Sequence, residues 1–124
     1  MPAILVVDDE ALIRWSVTET LEAAGFRVFE AGTARAALDH FGAPGDGTCV
    51  VLLDLRLPDS DDLGLLRRIR QIAPECRIIL MTAHGTSEIL DEAVREGAYG
   101  VLSKPFDMAS VVGLVREAAH VPHA

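Results

Sequence analysis

The sequence predicts an α/β fold in which one five-stranded parallel sheet lies between two layers of helices. Short apolar runs without alternation, such as Ile4–Val7 and Val50–Leu53, are typical of strands that are buried on both faces of a parallel sheet. Segments with the apolar spacing of helices separate these runs, so strands and helices alternate along the chain. A length of 124 residues fits one domain with one hydrophobic core.

The predicted strands are apolar runs that end at a polar residue or a turn, and they cover residues 4–9, 26–31, 50–54, 76–82 and 98–103. The third run ends at Asp54, and because a carboxylate is rarely buried without a partner, we expect this strand to leave the core there. The second run alternates apolar and charged residues from Phe26 to Ala31, which indicates a strand nearer the sheet edge.

The predicted helices follow the strands and cover residues 10–24, 33–41, 63–72, 86–96 and 107–119. Asp9 and Thr33 are candidate N-caps of the first two helices. Gly25 and Gly97 follow the first and fourth helices as C-terminal glycines would, and Pro74 ends the third. Five strands alternating with five helices fit the flavodoxin-like, three-layer (βα)5 arrangement with right-handed crossovers and strand order 2-1-3-4-5.

Composition limits the classes of function. The formal charge of -8 argues against direct contact with nucleic acid or an anionic membrane, since both need a basic surface. No apolar run approaches the ~20 residues that span a bilayer, and residues 1–4 show no basic leader of a signal peptide. Cys49 and Cys76 match no metal spacing, so we expect reduced, buried thiols and a cytoplasmic protein.

Polar side chains end four of the predicted strands: Asp8 and Asp9, Asp54, Thr82 and Lys104. Neighbouring parallel strands lie ~4.8 Å apart, so these side chains are expected to converge above the sheet. Two carboxylates ~4 Å apart repel by about 4 kcal/mol at an effective dielectric of 20, and a cation relieves that repulsion. An all-oxygen acidic site suits Mg²⁺ better than zinc.

These residue types also suit phosphoryl transfer. With the cation bound, Asp54 could attack phosphorus and form an aspartyl phosphate, while Lys104 offsets charge on the phosphoryl oxygens and Thr82 donates a hydrogen bond to one of them. Taken singly, Asp8 and Asp54 could be ordinary strand-end acids, Thr82 a helix cap and Lys104 a solvated lysine. Their conjunction at one sheet edge favours the chemical interpretation.

The sequence resembles the receiver domain of two-component response regulators. The motifs that carry the resemblance are Val6-Val7-Asp8-Asp9-Glu10, Leu52-Leu53-Asp54-Leu55-Arg56-Leu57-Pro58-Asp59, Met81-Thr82-Ala83-His84 and Lys104-Pro105-Phe106. The similarity runs from Ile4 to about Ala119, which gives an expected receiver domain at 1–119 and a tail or linker start at 120–124.

The resemblance implies a set of roles around Asp54. It implies that Asp54 accepts a phosphoryl group from a partner histidine kinase. It implies that Mg²⁺ is held by Asp9, Asp54 and the backbone carbonyl of Arg56, with Asp8 acting mainly through water. Apart from its own phosphorylation and dephosphorylation, such a domain is not an enzyme. An aspartyl-phosphate phosphatase of the haloacid dehalogenase type would want an acid where this chain has Arg56.

The resemblance also implies a conformational switch. Thr82 and Tyr99 look like the switch pair, Lys104 like the phosphate-binding lysine, and the Lys104–Pro105 bond is expected to be cis. The hypothesis is that Thr82 moves toward the phosphate and Tyr99 turns inward. The face formed by the fourth helix, fifth strand and fifth helix would then repack and be read by a homodimer partner or an output domain.

Details of the motifs look most like receivers of nitrogen-regulator-type activators. Those proteins carry an ATPase module and a DNA-binding module after the receiver and work with the nitrogen-type (sigma-54) sigma factor. We expect this chain to be an excised receiver, with a stand-alone single-domain receiver as the alternative.

Four positions carry expectations of their own. Asp62 and Gly64 depart from the family pattern, which puts the loop beside Asp54 and its recognition by the kinase in doubt. Trp15 is expected to be partly buried by helix packing, and His84 to be an exposed loop histidine.

Overall fold

The structure is a computed structural model that describes residues 3–42, 48–59, 63–83 and 87–120. Its strands are Ala3–Val7 (β1), Arg27–Ala31 (β2), Thr48–Asp54 (β3), Arg77–Thr82 (β4) and Gly100–Ser103 (β5). Its helices are Ala11–Ala23 (α1), Ala34–Gly42 (α2), Gly64–Ile72 (α3), Ser87–Arg95 (α4) and Met108–His120 (α5). Strands and helices therefore alternate as the sequence predicts, and α5 ends one residue later than expected.

The five strands form one parallel sheet in the order β2-β1-β3-β4-β5, which confirms the flavodoxin-like prediction. Every residue of β1 is buried, as a strand between two neighbours and under two helix layers should be. Strand β2 lies at the edge of the sheet, as predicted, and leaves Arg27 and Glu30 exposed.

The sheet divides the hydrophobic core into two layers. Leu5 and Val7 point to the layer that contains buried residues of α2, α3 and α4. Ile4 and Val6 point to the opposite layer, which contains buried residues of α1 and α5. Because side chains of a strand alternate between faces, both layers are anchored on the same strands, and the polar strand ends are held rigidly at one edge.

Helix boundaries follow local chemistry in most cases. Gly25 and Gly97 have φ angles of 99° and 103°, which confirms both as C-terminal glycines, since other residues rarely adopt positive φ. The Thr33 hydroxyl accepts a hydrogen bond from the Ala36 N–H at 3.0 Å, which confirms the predicted cap of α2. Asp107 accepts the Ser110 N–H at 2.7 Å and so caps α5.

The prediction of Asp9 as the N-cap of α1 is wrong. Glu10 occupies the N-cap position, and its side chain makes no capping hydrogen bond. The reason lies one residue before Asp9: the Asp8 carboxylate accepts the Glu10 N–H at 2.9 Å. This bond turns the chain in front of the helix, so helical geometry begins at Ala11.

The prediction for Trp15 is also wrong, because its side chain is 58% exposed. The buried face of α1 is formed by Val17, Thr18 and Leu21. Trp15 lies two residues before Val17, a rotation of ~200° at 3.6 residues per turn, so it points to the opposite side of the helix.

Cys76 is buried, as expected, and its Sγ donates to the Thr48 carbonyl at 3.1 Å. Gly64 is the first residue of α3. The predictions for the side chain of Cys49, for Asp62 and for His84 fall outside the described residues. Among the helices of the described ranges, each is too short or too polar to cross a membrane.

Candidate functional site

The ends of three strands bring three carboxylates around one ammonium group. Asp8 directly follows β1, Asp54 is the last residue of β3, and Lys104 directly follows β5. Lys104 Nζ lies 3.1 Å from Asp8 Oδ2, 3.1 Å from Glu10 Oε1 and 3.2 Å from Asp54 Oδ2. The sheet order therefore brings together residues that are up to 96 positions apart in the chain.

Each buried carboxylate uses its two oxygens for two different tasks. Asp8 accepts the Glu10 N–H through Oδ1 and Lys104 through Oδ2. Asp54 accepts the Arg56 N–H through Oδ1 at 3.0 Å and Lys104 through Oδ2. One oxygen thus fixes the loop that follows each strand, and the other fixes the carboxylate relative to the lysine.

Burial and crowding shape the electrostatics of the site. Burial raises the pKa of Asp54, the Arg56 N–H opposes that rise, the charge of Asp8 adds to it, and Lys104 again opposes it; the net shift is upward. Burial alone would lower the pKa of Lys104, but its hydrogen bonds to Asp8 and Glu10 and the charge of Asp54 raise it above its ordinary value. The lysine is therefore protonated at any physiological pH, and Asp54 lies beside a second buried carboxylate, Asp8.

The backbone of Asp8 is bound by an arginine, Arg14, to which the sequence assigned no role. Arg14 Nη1 donates to the Asp8 carbonyl at 2.6 Å, and Arg14 Nε donates to Glu30 Oε1 at 3.1 Å. A Cβ at Gly32 would lie 3.1 Å from the same guanidinium nitrogen, so glycine there leaves room for the arginine. Arg14 thereby joins α1, the end of β1 and β2.

Of the two predicted switch residues, Thr82 lies beside this cluster, and Tyr99 packs against the core layer of α1 and α5. Thr82 ends β4 and is 6% exposed, and its carbonyl accepts the Lys104 N–H at 2.8 Å, so it lies beside the lysine. Tyr99 precedes β5, and its partly buried ring packs on the core layer of α1 and α5. Partial burial and the nearby Glu117 carboxylate of α5 raise the pKa of Tyr99.

The oxygen donors of the cluster fit a divalent cation. Asp8, Glu10 and Asp54 each offer one carboxylate oxygen, and these three atoms lie within 4.8 Å of one another. Oxygen-only donors are the ligands that Mg²⁺ prefers. Asp9, to which the resemblance assigns a metal role, is exposed and does not belong to this group of three, whereas Glu10 does. The run of three acids, Asp8-Asp9-Glu10, is the sequence signal that could have suggested Glu10.

An apolar cavity of about 450 Å³ opens beside the cluster. Its lining includes Leu12 and Ile13 of α1, Pro105 and Phe106 after β5, and the edge of Lys104. The Lys104–Pro105 peptide bond in this lining is cis. Leu12 is 74% exposed, so an apolar surface continues from the cavity along α1 to the exposed Trp15.

Comparison with known proteins decides the family. The sequence matches the response regulator receiver domain over residues 4–116. The chain belongs to this family. It is 38% identical over 117 residues to the DNA-binding transcriptional regulator NtrC of Salmonella typhimurium, and the match covers 93% of this chain but 24% of that regulator. This receiver therefore spans about a quarter of the length of that curated relative.

Solved receiver domains have the same fold. The receiver domain of NtrX from Brucella abortus superposes with a TM-score of 0.86 at 32% identity, covering 96% of this chain and 99% of that one. The solution structure of the beryllofluoride-activated NtrC4 receiver domain dimer gives a TM-score of 0.85 at 30% identity, covering 94% and 95%. The resemblance inferred from the motifs is thus confirmed at the level of the family and of nitrogen-regulator-type relatives.

Proposed function

We propose that this receiver domain takes a phosphoryl group from a histidine kinase onto Asp54. The observation that carries the proposal is the contact of one nearly buried ammonium with Asp8, Glu10 and Asp54 at 3.1 to 3.2 Å. A carboxylate this close to a fixed positive charge can meet an incoming phosphate, which bare carboxylates would repel.

The transfer step uses an oxygen of Asp54 as the nucleophile. The oxygen attacks phosphorus in line, the new O–P bond forms as the P–N bond to the kinase histidine breaks, and the electron pair of that bond leaves with the imidazole. The product is an acyl phosphate on Asp54. Lys104 is placed to pair with a phosphoryl oxygen, and Thr82, at the end of β4, supplies a hydroxyl at the same edge. Later attack by water returns the carboxylate and inorganic phosphate.

Mg²⁺ is the proposed cofactor, and when bound it neutralises charge on the phosphoryl oxygens. Asp9, Asp54 and the backbone carbonyl of Arg56 are proposed to hold it, with Asp8 acting mainly through water. The geometry adds Glu10 as a ligand or as the base of a water ligand, because its oxygen belongs to the same cluster. The Asp9 side chain is exposed in this structure and would turn in from solvent when the ion binds.

Phosphorylation adds roughly -1.5 to -2 charges at Asp54, and we propose that the α4–β5–α5 face reads this change. Thr82 would move toward the phosphate and Tyr99 would leave Glu117 and turn inward. Val94 of α4 is 61% exposed on the outer surface, where a homodimer partner or an output domain could cover it. The beryllofluoride-activated NtrC4 receiver domain is a dimer, which supports the proposal that an activated receiver can pair with a second copy.

The apolar surface along α1 is proposed to receive the kinase. It lies next to Lys104 and so beside the acceptor, and it exposes Leu12 and Trp15. Hydrophobic anchors beside the reacting atoms would hold the phosphohistidine in line with Asp54.

The relatives support a role in transcription. We propose that the whole protein is a cytoplasmic activator of the sigma-54 type, in which ATPase and DNA-binding domains follow this receiver. The similarity to NtrC, a DNA-binding transcriptional regulator about four times as long as this chain, supports this proposal. The receiver itself, with a charge of -8, is not expected to bind DNA.

The direct test is incubation with acetyl phosphate and Mg²⁺, followed by intact mass measurement. Wild type is expected to gain one phosphoryl group, and omission of Mg²⁺ or the substitution Asp54→Ala is expected to abolish the gain. Thr33→Ala is a matched control, since it lies outside the charged cluster. An adduct of equal yield on Asp54→Ala would remove Asp54 from the proposed role.

A further inference from the structure

One carboxylate in the loop after β3 reaches across to another helix. Asp59 Oδ1 accepts the Ala34 N–H at 2.7 Å, and Asp59 Oδ2 accepts the Arg35 N–H at 3.0 Å. Both oxygens thus bind the free N–H groups at the first turn of α2, which lies 24 to 25 positions earlier in the chain. These bonds lower the pKa of Asp59, so the carboxylate is ionised when it makes them.

The same loop is fixed at its other end by the acceptor. The Arg56 N–H donates to Asp54 Oδ1, and the Leu55 N–H donates to the Met81 carbonyl of β4 at 3.2 Å. Leu55 and Leu57 are buried in the core layer of α2, α3 and α4. The backbone from Asp54 to Asp59 is therefore held at one end by the sheet and at the other by the start of α2.

We infer that Asp59 is a positioning residue that sets the cation affinity of the site by fixing the backbone carbonyl of Arg56. The inference rests on the proposed function, in which that carbonyl is a ligand. Arg56 itself is exposed, so its own side chain does not anchor it in the core. The two Asp59 hydrogen bonds restrain the loop three residues beyond the carbonyl, and outer groups that orient a ligand commonly change metal affinity by 10- to 100-fold.

The chain supplies a control in the same helix turn. Thr33 also caps α2, and its hydrogen bond, to the Ala36 N–H, stays within the first turn of that helix. Thr33→Ala and Asp59→Ala therefore both leave N–H groups of α2 without their capping oxygens, and only Asp59→Ala also releases the loop.

The experiment compares Mg²⁺ binding by isothermal titration calorimetry for wild type, Asp59→Ala and Thr33→Ala. About a tenfold weaker Mg²⁺ affinity is expected for Asp59→Ala, and a wild-type affinity for Thr33→Ala. Without metal, the NMR order parameter of the Arg56 N–H is expected to fall in Asp59→Ala alone. At saturating Mg²⁺, the rate of phosphorylation by acetyl phosphate is expected to return to that of wild type.

The result that would overturn the inference is an unchanged Mg²⁺ affinity in Asp59→Ala, or an equal loss in both variants. Wild type that binds no Mg²⁺ and gains no phosphoryl group would instead overturn the proposed function. A weakened Asp59→Ala beside a normal wild type and a normal Thr33→Ala supports both.

Discussion

At the C-terminal ends of β1 and β3, buried apolar side chains are followed directly by a buried acidic side chain. Ile4–Val7 and Val50–Leu53 are apolar and at most 3% exposed. Immediately after them, Asp8 is 0% exposed and Asp54 is 6% exposed, yet both are acids. Burial in the interior of the sheet stabilises the fold, whereas burial at its C-terminal edge costs free energy that Lys104 offsets. We propose that this edge carries the chemistry, because the carboxylates there face one ammonium group at 3.1 to 3.2 Å.

Among substitutions in the interior of the sheet, Leu52→Ala should cause the largest loss of stability. Leu52 is fully buried in the layer of α1 and α5, so the cavity should cost about 2 to 5 kcal/mol of unfolding free energy. Urea denaturation measures this loss. Leu12→Ala is the matched control, because Leu12 is 74% exposed and should change stability by no more than about 0.5 kcal/mol. Equal losses would contradict the assignment of stability to the interior.

At the edge, Lys104→Met removes the cation from three carboxylates. We expect a loss of about 3 kcal/mol without metal, since breaking a buried ion pair leaves charge uncompensated, and a partial recovery with Mg²⁺ by mass action. Urea denaturation with and without Mg²⁺ measures both effects. Lys104→Arg, which keeps the charge, should lose less. A stability of Lys104→Met that does not respond to Mg²⁺ would show that the cluster does not bind the ion.

Substitution of Asp54 should change the stability in the opposite direction, toward a more stable fold. Because burial raises the folded pKa of Asp54, the ionised carboxylate destabilises the fold, and Asp54→Asn should be more stable than wild type at neutral pH. The folded state binds its proton more tightly than the unfolded state does. The gain should therefore be full at neutral pH and shrink as pH falls through the folded pKa of Asp54. Thermal melts without metal across this range test it, and a variant less stable than wild type at neutral pH would contradict the edge account.

The sequence was sufficient for the fold because each strand carries its own local pattern. The apolar runs, the alternating second strand and the glycines at 25 and 97 fix the order of elements and the position of β2. The same logic places Asp54 and Lys104 together, since both follow directly from strands that end at one edge. Their 3.2 Å contact needs no information beyond the order of the strands.

Long side chains and loop contacts could not be predicted in this way. Glu10 reaches Lys104 from 94 positions away, and its direction depends on the turn that Asp8 makes before α1. Asp59 caps a helix 25 positions earlier, which no local pattern records. The predicted burial of Trp15 is wrong because an aromatic residue near an apolar helical stripe suggests burial. Its angular position on α1 instead puts the side chain on the outer face of the helix.

The central claim is that the buried carboxylate at position 54 is the group that accepts phosphate. The most direct measurement is reduction of the phosphorylated protein with borohydride, which converts an aspartyl phosphate to homoserine, followed by peptide mass mapping. We predict homoserine at position 54, with Asp8, Asp9 and Asp59 unmodified and no conversion without Mg²⁺. Homoserine at another aspartate, with Asp54 intact, would contradict the account.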